Sequence, residues 1–238
     1  MKNIITRIAT FTVLTLFITI ASCSKNDSSP NAFLNEFDYS QNSFSHNGLN
    51  LNFEIKSGSL ADKMKKELVE NYFIVYPKLM ADFNPNAPKT VYFEIRSGID
   101  YPAYASGNRV TYKSEWLKDH PEDRDVSTHE MMHLVQAYNF SNIPPWVTEG
   151  IADYVRDKYG LSNEGWSLQA YRPEHNYDGS YGITGRFLKW IELKVKKGFV
   201  QYLDNECRGG RYSEAVWKNY TGKTVQELWN QYKANPAL

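Results

Sequence analysis

His129-Glu130-Met131-Met132-His133 decides how the rest of the chain is read. Two histidines four residues apart on a helix project to the same side, with Cβ atoms about 6 Å apart. That spacing lets both imidazoles reach one tetrahedral Zn²⁺. Glu130 stands beside the first histidine, where a carboxylate can take a proton from a water that the metal activates. The same residues admit a second reading, because Ser127-x-x-Glu130 has the form of a capping box and would make Glu130 a helix cap. That reading starts the helix at Ser127. Pro121 followed by Glu122, Asp123 and Asp125 is the better start signal, since proline tolerates the first turn and acidic side chains favour the exposed amides there. The helix is therefore expected from Pro121 to about Tyr138, with the histidine pair inside it.

A catalytic zinc takes three protein ligands and keeps one position open. Trp146-Val147-Thr148-Glu149-Gly150-Ile151-Ala152-Asp153 offers the third, with Glu149 placed 16 residues after His133. Glu149 and Asp153 are four apart and share a face of the next helix. Two antiparallel helices joined by a short turn would bring that face against the histidine pair. Glu149 would then ligate, and Asp153 would accept the free N–H of one histidine. The apolar neighbours Trp146, Val147, Ile151 and Ala152 argue against both carboxylates being merely solvated. His120 and His175 are competing ligands, less well placed.

Outward from this centre the pattern changes from strands to helices. Asn50–Ser57 alternates Leu51, Phe53 and Ile55 and predicts a strand ended by Gly58. Leu60, Met64, Leu68 and Tyr72 recur every four residues. They predict an amphipathic helix from Ser59, as its N-cap, to about Phe83, with Pro77 the place where it would kink or stop. Thr90–Arg96 is expected as a second strand and Gly107–Tyr112 as a third, with Arg109 and Thr111 on one face. Beyond Pro144-Pro145 a helix over Val147–Tyr159 is expected, then a long loop over Asn163–Ser180. Further helices are expected at Tyr181–Lys197, Val200–Glu206, Ser213–Asn219 and Thr224–Lys233. The fold class is α+β: a small mixed sheet with the histidine-bearing helix, then a mostly helical second half.

The chain has 238 residues, 42% hydrophobic and 23% charged, which suits one medium domain with a buried core. Formal net charge is zero, and there is no basic run. No electrostatic footprint for nucleic acid exists, so that class of partner is set aside. Lys2 and Arg7 make a positive segment that precedes an apolar stretch, Ile8–Ile20, of the length of a signal-peptide core rather than a membrane span. It ends in Ile20-Ala21-Ser22-Cys23, which resembles the lipobox of bacterial lipoproteins. The expected organisation is a leader over 1–22, a lipid-anchored tether and N-terminal segment over 23–49, and a domain over 50–238. Cys207 has no partner once Cys23 is lipidated, so stability must come from the core and a metal rather than from disulfides.

Three blocks carry a family resemblance. They are His129 to Gln136 (HEMMHLVQ), Glu149 to Arg156 (EGIADYVR) and Tyr177 to Leu188 (YDGSYGITGRFL), joined by the terminal Tyr220 to Trp229 (YTGKTVQELW). Together they resemble the peptidases of the plant basic secretory protein family over roughly Asn50 to Lys233, although this chain is not basic. The resemblance implies a zincin-like fold, with an active-site helix, a sheet above it and a helical lower lobe. It also implies an edge strand beside the cleft, here Gly107–Tyr112, able to pair with an extended substrate. Tyr181 matches a family tyrosine and opens the helix after the long loop. It is the candidate for stabilising the oxyanion, with Tyr171 and Tyr177 as rivals.

The function expected is zinc-dependent hydrolysis of peptide bonds, with His129, His133 and Glu149 on Zn²⁺ and Glu130 as general base. The partners expected are a peptide or protein substrate and an envelope membrane reached through the lipid on Cys23, the protein itself being a monomer. Two alternatives stand beside this. One is a non-enzymatic envelope lipoprotein binding glycan or protein through its aromatic residues. The other is an amidase of non-peptide substrates.

Overall fold

Leu49, Leu51 and Phe53 turn one face of a strand into the core, while Ile55 at its end is exposed. This strand, β2 (Leu49–Ile55), is the second of five in a mixed sheet. The computed structural model describes residues 30–238, so the expected leader and Cys23 lie outside the described residues. The other strands are β1 (Ser43–His46), β3 (Thr90–Arg96), β4 (Ala103–Ser106) and β5 (Arg109–Lys113). Their order is β1-β2-β3-β5-β4, with β2, β3 and β5 mutually parallel and both outer strands antiparallel. Val91, Phe93 and Ile95 of β3 continue the buried face.

Eight helices complete the described chain: α1 (Asp62–Asp82), α2 (Ser114–Asp119), α3 (Val126–Gln136), α4 (Pro145–Tyr159), α5 (Tyr181–Lys194), α6 (Phe199–Arg208), α7 (Ala215–Thr221) and α8 (Val225–Ala234). A 3-10 turn at Ala32–Glu36 precedes β1. Helix α1 crosses between β2 and β3 and buries Leu68, Tyr72 and Tyr76 beneath the sheet. Its tyrosine hydroxyls donate to backbone carbonyls at the strand ends, Tyr72 to Asn50 and Tyr76 to Pro88. No helix of the described residues is long and apolar enough to cross a membrane.

The arrangement is the expected α+β class: a small mixed sheet, a histidine-bearing helix and a helical second half. Besides the unannounced β1 and α2, four details differ from the sequence reading. Helix α1 starts at Asp62 rather than Ser59, because Ser59 is held by Ser114: its N–H donates to Ser114 Oγ and its carbonyl accepts from the same hydroxyl. The helix runs through Pro77 without stopping. Helix α3 starts at Val126, not Pro121, because Asp123 is engaged elsewhere. Asp123 pairs in a single bridge with Asn163, accepts from Arg156, and accepts the Val126 N–H at 3.1 Å.

The fourth difference concerns the sheet edge. Gly107–Tyr112 was expected to be the edge strand. Gly107 takes φ +61°, and with Asn108 it makes a two-residue hairpin turn instead. That turn folds Ala103–Ser106 back outside β5, so β4 is the edge and β5 is interior. Strand β4 is four residues long and β1 is also four, too short for a period-2 pattern to announce either. Lys113 N–H donates to Pro102 O at 2.9 Å. Since pairs alternate along an antiparallel ladder, Ala103 and Ala105 turn their backbone groups to the free edge.

Helices α4 and α5 pack at unusually close range. A Cβ on Gly150 would meet Thr184 Cγ2 at 2.3 Å, and one on Gly185 would meet the Tyr154 backbone nitrogen at 3.1 Å. The first turn of α5 is thereby brought against the face of α4 that carries Glu149 and Asp153.

Candidate metal centre

Met131, Met132, Leu134 and Val135 are buried and seat α3 in the core, which leaves its opposite stripe to the cleft. Tyr112 of β5 donates its hydroxyl to Ser127 Oγ at 2.7 Å and ties the helix under the sheet. Ser127 therefore sits inside the helix as a tertiary contact, and Asp125 occupies the N-cap position. The Ser127–Glu130 capping box does not form. Asp125 instead accepts the N–H groups of Leu161 and Ser162, fastening the chain that leaves α4 to the start of α3.

The stripe facing the cleft carries His129, Glu130 and His133. His129 Nδ1 lies 2.7 Å from Asp153 Oδ1, and His133 Nδ1 lies 2.7 Å from Gln136 Oε1. Gln136 donates its Nε2 to Thr148 O at 2.9 Å, which fixes its Oε1 toward the histidine. When the imidazoles are neutral, as a metal ligand must be, these contacts place the proton on Nδ1 and leave both Nε2 atoms with lone pairs. Those lone pairs converge with a third acceptor. His129 Nε2 lies 3.1 Å from His133 Nε2 and 3.1 Å from Glu149 Oε2, and His133 Nε2 lies 3.6 Å from the same oxygen.

Three acceptor atoms this close require positive charge between them. Zinc bonds of about 2.0–2.1 Å at a tetrahedral angle would hold donor atoms about 3.3 Å apart. The separations seen fit that group. Among the described residues, His129, His133 and Glu149 form the group of His, Cys, Asp and Glu able to hold an ion. His120 stacks on Trp116, and His175 Nδ1 accepts the Arg172 N–H; neither belongs to it.

The carboxylates around His129 favour positive charge at this point. Burial alone would depress His129, but its hydrogen bonds to Asp153 and Glu149 push it up to about 10. Burial would raise Glu149, yet the two histidines pull it well below the usual carboxylate range. Glu130 makes no such contact. Burial raises it above the ordinary glutamate value, against the pull of His129, His133 and Arg156.

The cleft around the centre holds about 760 Å³ and is bordered by Tyr101 and Pro102, by Ala103 to Ala105 of the edge strand, and by Tyr181 and Gly182 of α5. Tyr181 is 56% exposed, and its ring lies 6.2 Å from that of His129 at 19°. Ser180 and Tyr181 take positive φ in succession, 65° and 44°, a conformation held by its surroundings rather than chosen by these residues. The rivals Tyr171 and Tyr177 pack on Trp229 instead. Gln136 was missed in the sequence. Its spacing, three residues beyond His133, puts it on the same helical face, but a polar residue near a helix end is too common for that spacing alone to single it out.

Residues 58–232 match the BSP family, described as a peptidase of plants and bacteria. Two solved zinc metallopeptidases of the M1 type share the fold. The enzyme from Deinococcus radiodurans is 12% identical with a TM-score of 0.51, and a two-domain variant bound to L-tryptophan is 12% identical with a TM-score of 0.50. Each likeness covers 82% of this chain and 51% of the other, so this chain spans about half their length. The precursor of protealysin from Serratia proteamaculans is more distant, 10% identical with a TM-score of 0.39 over 80% of this chain and 89% of that one. No curated protein matches the chain.

Proposed function

The chain belongs to this peptidase family of plants and bacteria, and from that premise we propose that it is a zinc-dependent peptidase whose metal is held by His129, His133 and Glu149. The observation that carries the reading is the convergence of three acceptor atoms at separations of 3.1, 3.1 and 3.6 Å. When bound, zinc would supply Lewis acidity, lowering the pKa of a water and polarising the scissile carbonyl.

The remaining work falls to the chain itself. Asp153 and Gln136 hold the imidazoles in the tautomer that points Nε2 inward. Glu130, beside the first histidine and outside the ligand group, accepts the water's proton and passes it to the leaving amine. The Tyr181 hydroxyl donates to the oxygen on which charge develops. Ala103 and Ala105 offer the backbone of a free edge, so an extended peptide can add to the sheet there. A lipid on Cys23, read from the leader, would hold the domain at a bacterial envelope membrane.

The test is cleavage of a peptide mixture by the soluble form beginning at Ser24. Hydrolysis is expected to stop with a chelator and return with added Zn²⁺. Cleavage indifferent to the chelator would contradict a metal-dependent mechanism.

A further inference from the structure

Arg156 has no part in the chemistry above, yet it lines the same cleft as Glu130. It stands on α4, is 7% exposed and is fixed on three sides. Its Nη2 donates to both oxygens of Asp123, at 2.9 and 2.8 Å, and its Nε donates to Asn163 Oδ1 at 2.8 Å. The guanidinium carbon lies 4.1 Å from the ring centroid of Trp166. The turn that presents Trp166 is specific: Glu164 and Gly165 both take positive φ, and Trp166 N–H closes onto Asn163 O at 2.8 Å.

A guanidinium has five N–H donors. Those on Nε and Nη2 face Asn163 and Asp123. The two on Nη1 have no protein acceptor among the described residues. Asp123 already balances the positive charge, so what Arg156 offers the cleft is a rigid pair of donors rather than a net field. Trp166, stacked on the guanidinium, and Val126 are apolar members of a cleft lining that also carries Glu130, Ser167 and Gln169. A complementary group has an apolar stem and an acceptor oxygen at its tip.

We propose that Arg156, with Val126 and Trp166, forms a specificity pocket for a substrate side chain ending in a carboxylate or carboxamide oxygen, glutamate or glutamine. This rests on the peptidase reading and names the substrates it would favour. A side chain without an acceptor would strip water from Nη1 and give nothing back. A hydrogen bond to a charged group in such a place is worth about 10- to 100-fold.

The experiment uses the zinc-loaded protein and end-blocked peptides of one sequence, with Glu, Gln, Met or Lys placed in turn at each position flanking the scissile bond. At one position kcat/KM is expected to be at least about tenfold higher for Glu and Gln than for Met, with Lys the poorest. Arg156→Lys keeps a cation beside Asp123 but lacks the second arm. It should level the preference while still cleaving the Met peptide. A merely structural Arg156 would lower the melting temperature and leave the ratio unchanged, and the wild-type profile stands should this variant not fold. Cleavage of all four peptides at one rate at every position overturns the pocket and leaves the peptidase reading standing. No cleavage of any peptide removes the peptidase reading, and the pocket with it.

Discussion

His129 is held from both ends, by Asp153 at Nδ1 and by the ligand group at Nε2, and the two contacts should weigh differently on metal affinity. Removing Glu149 deletes a ligand, whereas removing Asp153 only frees the ring. Glu149→Ala is expected to lose most zinc binding, and Asp153→Ala to weaken it about 10–100-fold. Competition with a chromophoric chelator measures both. Wild-type affinity in Glu149→Ala would show that the third ligand lies elsewhere. Both acids were legible in the sequence because an i, i+4 pair on an apolar helix has few reasons to exist. Gln136 was not, since a polar residue near a helix end is common and nothing in its type points to a histidine. Arg156 was equally silent, because its partners Asp123 and Asn163 meet it only after the chain has folded.

Between elements, the α4–α5 contact positions the cleft and should be the least tolerant of added bulk. Gly150→Ala gains helix propensity of about 1 kcal/mol. It also forces a methyl to within 2.3 Å of Thr184 Cγ2, and overpacking costs about 1–3 kcal/mol. A net loss of stability is expected in urea unfolding, with activity falling further than stability because Tyr181 opens α5. Gly150→Ala unfolding at or above the wild-type midpoint would contradict this close packing.

Helix α6 makes a separate, pH-dependent prediction. Asp204 is fully buried, accepting from Tyr138 and Arg208. Burial outweighs Arg208 and raises its carboxyl to about 6. The native state thus binds this proton at a pH where the unfolded chain has released it, so stability from this group rises as pH falls from about 6 toward 4. Relative to Asp204→Asn, the wild type should gain about 2 kcal/mol between pH 7 and 4.5. Equal pH slopes in the two proteins would contradict the raised value. Strands β2 and β3 and the later helices were legible from their periods. The start of α3 was not, because tertiary partners took the acidic side chains that would have capped an earlier turn.

Taken whole, the described residues form a zincin-like fold in a peptidase family, and the proposed leader and lipid anchor rest on sequence alone. Cys23→Ala should abolish fatty-acid labelling and membrane retention; unchanged labelling would refute the lipobox. One measurement bears most directly on the chemistry: turnover of Glu130→Gln on a cleaved peptide, with zinc content and melting temperature followed on the same sample. The amide keeps the size of the side chain but cannot take a proton. General acid–base catalysis is typically worth about 10²–10⁴-fold, so turnover should fall by at least about a hundredfold while zinc content and melting temperature stay close to wild type. A Glu130→Gln protein that retains its zinc and cleaves at the wild-type rate would contradict Glu130 as the base.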